Sequence, residues 1–440
     1  METVLVIGAA RSGIAVSKLL LKNGYHVILT DSNKVNEKSE LESLGIEVYD
    51  EGHPDCLKEK KYAFIVKNPG IPYRVPFVHY FVEQNAKIYT EIEVAYRYAK
   101  NFDYAAVTGT DGKTTVTTLL FEMLNRQKKS LVAGNIGTPL CELALEYTDA
   151  NYNVALELSN FQLLGIETFR PHVSTVTNLA PDHLDYMDSL EAYYESKMRI
   201  YENTNADDYF IRNVDDENVV KYAQNIPCHV IDFSLKRKDV DLYKDVQYAY
   251  YKDTQLFKLS DLKIVGEFNC GNAMMASCMA YLMGVSLFNI QEVIREFSGV
   301  EHRIEYVDTI DNVRFYNDSK ATNTHAACAG LSAFEKNVIL LCGGKDKHIS
   351  FDDLKQYDAV VKKCISFGQT KDKFKNIFSN QVSVETMRDA FEKAVLFAKP
   401  GDIVLLCPAC SSFDQFKNYE IRGEIFKEMV HDYASKRNEE

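Results

Sequence analysis

Val107-Thr108-Gly109-Thr110-Asp111-Gly112-Lys113-Thr114-Thr115 is a glycine-punctuated loop. It lies between a short β-type run, Asp103 to Val107, and a stretch in which Val116, Leu119, Leu120, Met123 and Leu124 recur at helical spacing. Strand, glycine loop and helix in that order make a phosphate cradle. Gly109 and Gly112 let the backbone curl so that its N–H groups and the helix start face one anion. Lys113 adds a point charge for the outer phosphates, and the Thr114 hydroxyl suits a magnesium ion. The string is shorter than the common P-loop, because Val107 stands where that motif has its first glycine. The bland alternative is a capped turn with a solvated lysine.

At 440 residues the chain is too long for one core, and a prior of ~150 residues per domain gives about three. With 46% hydrophobic and 26% charged residues it has the composition of a globular protein. A net charge of −13 argues against nucleic acid as a partner, since phosphate backbones call for a positive field. Anionic ligands must then be held by local groups. No apolar run approaches the ~18 residues of a membrane span, and no basic segment with an apolar core opens the chain. No membrane partner and a cytoplasmic location are therefore expected, and a monomer is taken as the expected state. The ten cysteines are scattered, several in apolar runs, which favours reduced buried thiols.

The first segment opens Val4 to Gly13, continues in a helical pattern to Leu21, and returns as His26 to Asp31, a βαβ unit. Gly8-x-Ala10-x-x-Gly13 approximates the dinucleotide fingerprint, with Asp31 near the place of the ribose-binding acid. Alanine replaces the middle glycine. A nicotinamide-dependent oxidoreductase is therefore the alternative, and another nucleotide or phosphate ligand the main reading. Ala63 to Asn68 is a further strand, ended by the turn Pro69-Gly70-Ile71-Pro72, whose tip is a candidate for the same site. A helix from Glu91 to Ala99 closes this domain. The middle segment carries strands at Leu131–Ala133, Val154–Leu158 and Val173–Asn178, separated by helical patterns, as in a buried parallel sheet. Gly134-Asn135-Ile136-Gly137, Glu157 and Asp182-His183 stand at the carboxyl ends of strands, where such sheets bind ligands. Beyond Asp208 the pattern turns polar and strand-rich around Tyr248, Tyr250 and Tyr251, before a helix from Ala273 to Leu282. The last segment shows four strands, beginning at Val313, Val338, Cys364 and Ile403. The expected fold is α/β in three domains. These are a Rossmann-like domain over 1–93, a central P-loop ATPase-type domain with a mostly parallel sheet over 94–299, and a second Rossmann-like domain over 300–440.

An acid on a buried strand is costly unless paired or metal-bound. Glu157 beside the Thr114 hydroxyl is thus a candidate magnesium ligand. His183, between Asp182 and Asp185, is either a second ligand or a helix-capping neighbour. Lys197 lies in the helical stretch Tyr193 to Ile200, where a lysine is ordinarily solvated. Asp318, Ser319, Lys320 and Thr322 cluster after a strand and suit a carboxylated ligand or a phosphate. Arg303 has the fork geometry for phosphate, and Lys345 and Lys347 follow Gly343-Gly344. Cys407-Pro408-Ala409-Cys410 has redox-pair spacing, a weak signal outside a thioredoxin-like unit.

Together these motifs resemble the Mur ligase family across all three segments. The resemblance makes Gly109, Thr110, Asp111, Gly112, Lys113, Thr114 and Thr115 the ATP loop. It makes Gly134 to Gly137 a substrate loop, with Asn135 on the UDP-linked substrate. Glu157 and His183 become ligands of two magnesium ions, and Lys197 matches a lysine that is carbamylated and so becomes an oxygen ligand. Asn269 and Asn272 match a pair near adenine, Arg303 and Asp318 groups of the ATP site. Ala10, Arg11, Ser12, Gly13, Asp31, Ser32 and Gly70 would hold the UDP end. Asn317 to Asn323 and Pro408 to Tyr419 resemble the segments that select D-glutamate, which Lys320, Thr322, Lys347, Ser412, Phe413 and Tyr419 would surround. The implied reaction is ATP-dependent amide formation between UDP-N-acetylmuramoyl-L-alanine and D-glutamate, in peptidoglycan precursor synthesis. Other amide ligases of this type, including folylpolyglutamate synthases, and a nucleotide-hydrolysing regulator are the remaining alternatives. Three positions depart from the pattern. Asp111 replaces the usual asparagine and is expected to need magnesium or a hydrogen bond. Phe268 stands where histidine is common, and Cys407 where serine is common.

Overall fold

Val4, Leu5 and Val6 are fully buried in the strand Thr3–Ile7, as an uninterrupted apolar run is when helices cover both faces of a sheet. The same rule shapes three sheets. The computed structural model describes residues 1–181, 187, 189–347 and 350–439. In the first sheet, Glu47–Tyr49, His26–Thr30, Thr3–Ile7, Phe64–Lys67 and Ile88–Tyr89 lie side by side, all parallel. The second has nine strands, and Phe102–Thr108 sits inside it between Tyr152–Glu157 and Val173–Val176. Only its far edge, the hairpin Tyr248–Tyr251 with Thr254–Lys258 and its pairing to Leu242–Lys244, is antiparallel. The third has six strands, parallel except for the pair Glu305–Ile310 and Val313–Asn317. The chain forms two compact units: Met1–Leu259 with Gly271–Val293, and Ser260–Cys270 with Ile294–Glu440.

The α/β expectation with mostly parallel sheets is met. Four strands, Glu47–Tyr49, Ile88–Tyr89, Glu305–Ile310 and Gln381–Ser383, are too short or carry too little apolar alternation to stand out in the sequence. The helix expected from Ala273 begins at Glu267, so the Phe268-Asn269 segment is helical.

Register decides where the ligand groups gather. Val107 pairs with Glu157, Gly134 also with Glu157, and Thr108 with Val176. The carboxyl ends of four strands therefore meet at one edge, the usual position for a ligand in an open α/β sheet.

Two buried acids in the helix Glu91–Tyr98 organise the loops around the second sheet. Glu91 accepts the Cys141 N–H at 2.9 Å and so caps the helix Leu140–Glu146. Burial pushes its carboxyl up, against the pull of those N–H groups. Glu93 is fully buried as well, yet its carboxyl is held below the usual range. Burial there is outweighed by the Thr168 hydroxyl, by the N–H groups of Glu167, Thr168 and Phe169 at 2.9, 2.9 and 3.0 Å, and by Arg97 at 2.7 Å. Glu93→Ala leaves three N–H groups and a guanidinium without that acceptor and is expected to cost about 3–5 kcal/mol in urea unfolding. A loss below about 1 kcal/mol would show that the loop holds itself.

Candidate active site

Gly109 has φ of 144°, and a Cβ there would lie 1.9 Å from the Thr177 hydroxyl. Gly112 has φ of 78°, and its Cβ would lie 2.6 Å from Asn272 Oδ1. Both glycines are thus required by close approach as well as by conformation. The loop is pinned from outside. Thr110 N–H donates to the Asn178 carbonyl at 3.0 Å, Asp111 N–H to Asn178 Oδ1 at 2.9 Å, and the Thr177 hydroxyl to the Asp111 carbonyl at 2.6 Å. The helix Lys113–Gln127 that follows has no side-chain cap and no acid in its first turn. Its N–H groups and dipole therefore face the loop without a competing carboxylate from the helix itself. The Asp111 side chain is exposed, and its backbone N–H and carbonyl are held by Asn178.

Lys113 and Lys197 converge on one acceptor. Lys113 Nζ donates to the carbonyls of Gly109 at 2.9 Å and Thr110 at 2.8 Å, and Lys197 Nζ to the Gly109 carbonyl at 2.8 Å. Lys197 is not the solvated helical lysine its spacing suggests. It is buried, with its ammonium 4.7 Å from the centre of the Tyr193 ring. Tyr193 also brings its hydroxyl within 3.4 Å of Thr110 Oγ1, so one helix, Leu190–Met198, supports the loop from below. Sequence reasoning did not single out Tyr193; its spacing of four residues from Lys197 was the available signal.

Glu157 ends its strand fully buried. Its Oε1 accepts from Asn135 Nδ2 at 2.8 Å, and its backbone carbonyl accepts the Asn135 N–H at 2.8 Å. Oε2 has no hydrogen-bond partner among the described residues. A buried carboxylate oxygen left without a donor, on the strand paired beside Val107 where the phosphate loop begins, is what a hard divalent cation requires. The residues present therefore fit magnesium. His183 lies outside the described residues.

In the first sheet the loop after Ile7 packs against its own helix so tightly that a Cβ on Gly13 would lie 1.8 Å from the Gly8 carbonyl oxygen. Asp31 accepts the N–H of Ala9 at 2.7 Å and of Asn33 at 2.8 Å. Its carboxylate braces the loops rather than standing free. Ala10, Arg11 and Asp31 border a cavity of about 660 Å3, and Arg11 pairs with Glu142 at 3.1 Å. Ser12 receives a hydrogen bond from Asn68, whose Oδ1 also accepts the Gly70 N–H. Ser32 is exposed.

The second unit gathers a separate cluster. Asp318 is buried, with Oδ1 accepting the Ile304 N–H at 3.2 Å and Oδ2 lying 3.4 Å from the Cys407 thiol. Burial pushes its carboxyl up to about 7, while the Cys407 and Ile304 hydrogen bonds and the Arg303 and Arg422 charges pull it down. Cys407 is thus a hydrogen-bond neighbour of Asp318, and Cys410 lies against Thr370, so the redox-pair reading has no support. Lys320 Nζ donates to the Tyr419 hydroxyl at 3.1 Å, and Thr322 N–H to the Lys320 carbonyl. Ser412 is buried, whereas Phe413 and Lys347 are exposed. Asn269 donates to the Val265 carbonyl. Arg422, which the sequence reading passed over, is fully buried and holds Ser319 through its hydroxyl at 2.9 Å and its carbonyl at 2.7 Å. Its signal was position: an arginine on the stripe shared with Phe426, Met429 and Val430, all buried in the helix Tyr419–Glu439.

Residues 107–280 match the Mur ligase middle domain and residues 302–410 the Mur ligase, glutamate ligase domain. The chain belongs to the Mur ligase family and is an enzyme of it. More particularly, it is 43% identical over 440 residues to the UDP-N-acetylmuramoylalanine–D-glutamate ligase of Geobacillus sp. (strain WCH70), covering 97% of each chain. It is 41% identical to the protein of that name from Bacillus cereus (strain G9842), over 98% of this chain and 97% of that one. The fold recurs in more distant solved structures. A MurF ligase from Thermotoga maritima in complex with ADP has TM-score 0.58 and 16% identity, over 94% of this chain and 96% of that one. A UDP-N-acetylmuramate–alanine ligase from the same organism has TM-score 0.56 and 18% identity, over 98% and 100%.

Asp318 generates a pH prediction. Its folded carboxyl titrates near 7 and its unfolded one near the ordinary value of 3.8, so folding takes up a proton between them. Stability from this group is full below the unfolded value and falls as pH rises towards 7. The unfolding free energy of the native chain, less that of Asp318→Asn, should drop by a few kcal/mol from about pH 4 to about pH 8. A difference that stays flat would refute the assignment.

Proposed function

We propose that the enzyme phosphorylates the alanyl carboxylate of UDP-N-acetylmuramoyl-L-alanine with ATP and joins the acyl phosphate to the amine of D-glutamate, releasing ADP and phosphate. The observation that carries this reading is the identity, over nearly the whole of both chains, to proteins named for that ligation. The absence, among the described residues, of any helix long and apolar enough to cross a membrane accords with work on nucleotide-linked precursors in the cytoplasm. We take the segments 1–93, 94–299 and 300–440 as the parts that hold the UDP end, ATP and the amino acid.

In this reading the Gly109–Thr115 loop, through its backbone N–H groups, and Lys113, through its charge, bind and orient the ATP phosphates. Thr114, Glu157, His183 and a carbamylated Lys197 would hold magnesium, which supplies charge neutralisation for phosphoryl transfer. Asn135 keeps Glu157 in one rotamer and faces the muramoyl substrate. Arg303, Asp318, Asn269 and Asn272 serve ATP. Lys320, Thr322, Lys347, Ser412, Phe413 and Tyr419 serve D-glutamate, with the Lys320 ammonium matched to a carboxylate of the amino acid. Ala10 to Gly13, Asp31, Ser32 and Gly70 serve the uridine end.

Phosphate release, measured with each substrate omitted in turn, tests the reaction. Release is expected only when UDP-N-acetylmuramoyl-L-alanine is present, and full turnover only when D-glutamate is added. Release indifferent to both would make the chain a plain ATPase. Lys197→Arg keeps the charge but forms no comparable carbamate, and ligation should fall at least about 100-fold. Activity equal to that of the native chain would rule the carbamate out.

A further inference from the structure

Lys67 is the last residue of the strand Phe64–Lys67, paired with Ile7 in the middle of the first sheet. Its side chain is 1% exposed. Burying an ammonium is costly unless its donors are satisfied, and here the turn that follows it satisfies them. Nζ donates to the carbonyls of Ile71 at 2.6 Å, Asn68 at 3.1 Å and Pro69 at 3.4 Å, and lies 4.5 Å from the centre of the Tyr73 ring. No carboxylate pairs with it among the described residues. Burial accordingly lowers its pKa to about 8.

Three carbonyls of one short turn point at a single ammonium. Peptide dipoles so aligned repel one another, and the ammonium at their focus offsets that repulsion. The same turn is fastened to the glycine loop beside it. Asn68 N–H donates to the Ile7 carbonyl at 2.8 Å and Asn68 Nδ2 to the Ser12 hydroxyl at 3.3 Å. A Cβ on Gly8 would lie 2.7 Å from Asn68 Cβ. The loop Gly8–Gly13 and the turn Asn68–Ile71 thus form two touching walls, and the Lys67 ammonium sets the shape of one of them.

We propose that Lys67 is a positioning residue for the uridine nucleotide, acting through the Asn68–Ile71 turn without touching the ligand. The inference rests on the reading that these loops hold the UDP end of the substrate. Nothing in the motif reading pointed to it, because a lysine closing a strand before Asn-Pro-Gly reads as a solvated end.

The full chain is titrated with UDP by calorimetry, and kcat and KM are measured for each substrate. Lys67→Met keeps the length of the side chain and removes the charge and the donors. It should weaken UDP binding at least about tenfold and raise the KM for the UDP-linked substrate accordingly. The KM values for ATP and D-glutamate should stay within about twofold, and kcat should change less than the affected KM. Tyr73→Leu keeps the ammonium and removes its aromatic face, and should shift UDP affinity in the same direction by about two- to fivefold. This second variant keeps the test available should Lys67→Met not fold. UDP affinity equal to that of the native chain in a folded variant, or a parallel loss in kcat and all three KM values, overturns the proposal. Failure of the native chain itself to bind UDP overturns the underlying site reading instead.

Discussion

Two lysine ammonium groups, from Lys113 and Lys197, donate to the single carbonyl oxygen of Gly109. Two lysines from separate helices thus fix one carbonyl of the phosphate loop. The arrangement needs Gly109 at a φ closed to other residues and needs Thr177 close enough to exclude a Cβ. It also needs the helix Leu190–Met198 placed so that Lys197 is buried beneath the loop. Loop conformation, strand register and helix packing together hold that one carbonyl in place.

Buried charge serves the same end elsewhere. Lys67, Glu91, Glu93 and Arg422 each spend their hydrogen bonds largely on backbone groups of a neighbouring loop or helix end. A buried ionic group of this kind is weak evidence for stability, since apolar residues would fill the space at less cost. Its value lies in fixing loops that have no secondary structure to fix them. The loops held by Lys67, Glu91 and Arg422 follow the carboxyl ends of parallel strands, where an α/β enzyme binds its ligands, whereas Glu93 holds the loop that enters Val173–Val176.

The fold was largely legible in the sequence because apolar runs and helical spacing are local signals. The P-loop, the βαβ opening and the four principal strands of the last sheet stand where those signals put them. What escaped were the short strands Glu47–Tyr49, Ile88–Tyr89 and Gln381–Ser383, the hairpin-like edge strand Glu305–Ile310, and the early start of the helix at Glu267, whose patterns are weak, short or polar. Among site residues, Glu157 announced itself as an acid on a buried strand, and its Oε2 has no hydrogen-bond partner among the described residues. Tyr193 and Arg422 did not, since an aromatic residue or an arginine in a helix usually needs no special explanation.

The sequence by itself determined the class of fold, the phosphate loop and the family resemblance, because each is written in contiguous residues and their spacing. Tertiary structure decided which polar side chains are buried and what they hold. Lys67 and Lys197 look like surface cations in any window of sequence, and Asp31 looks like a free ribose acid. Packing puts the lysines under loops and commits the aspartate to two backbone N–H groups. The physical reason is that a charge becomes specific only when water is removed from it, and desolvation is a property of neighbours distant in the chain.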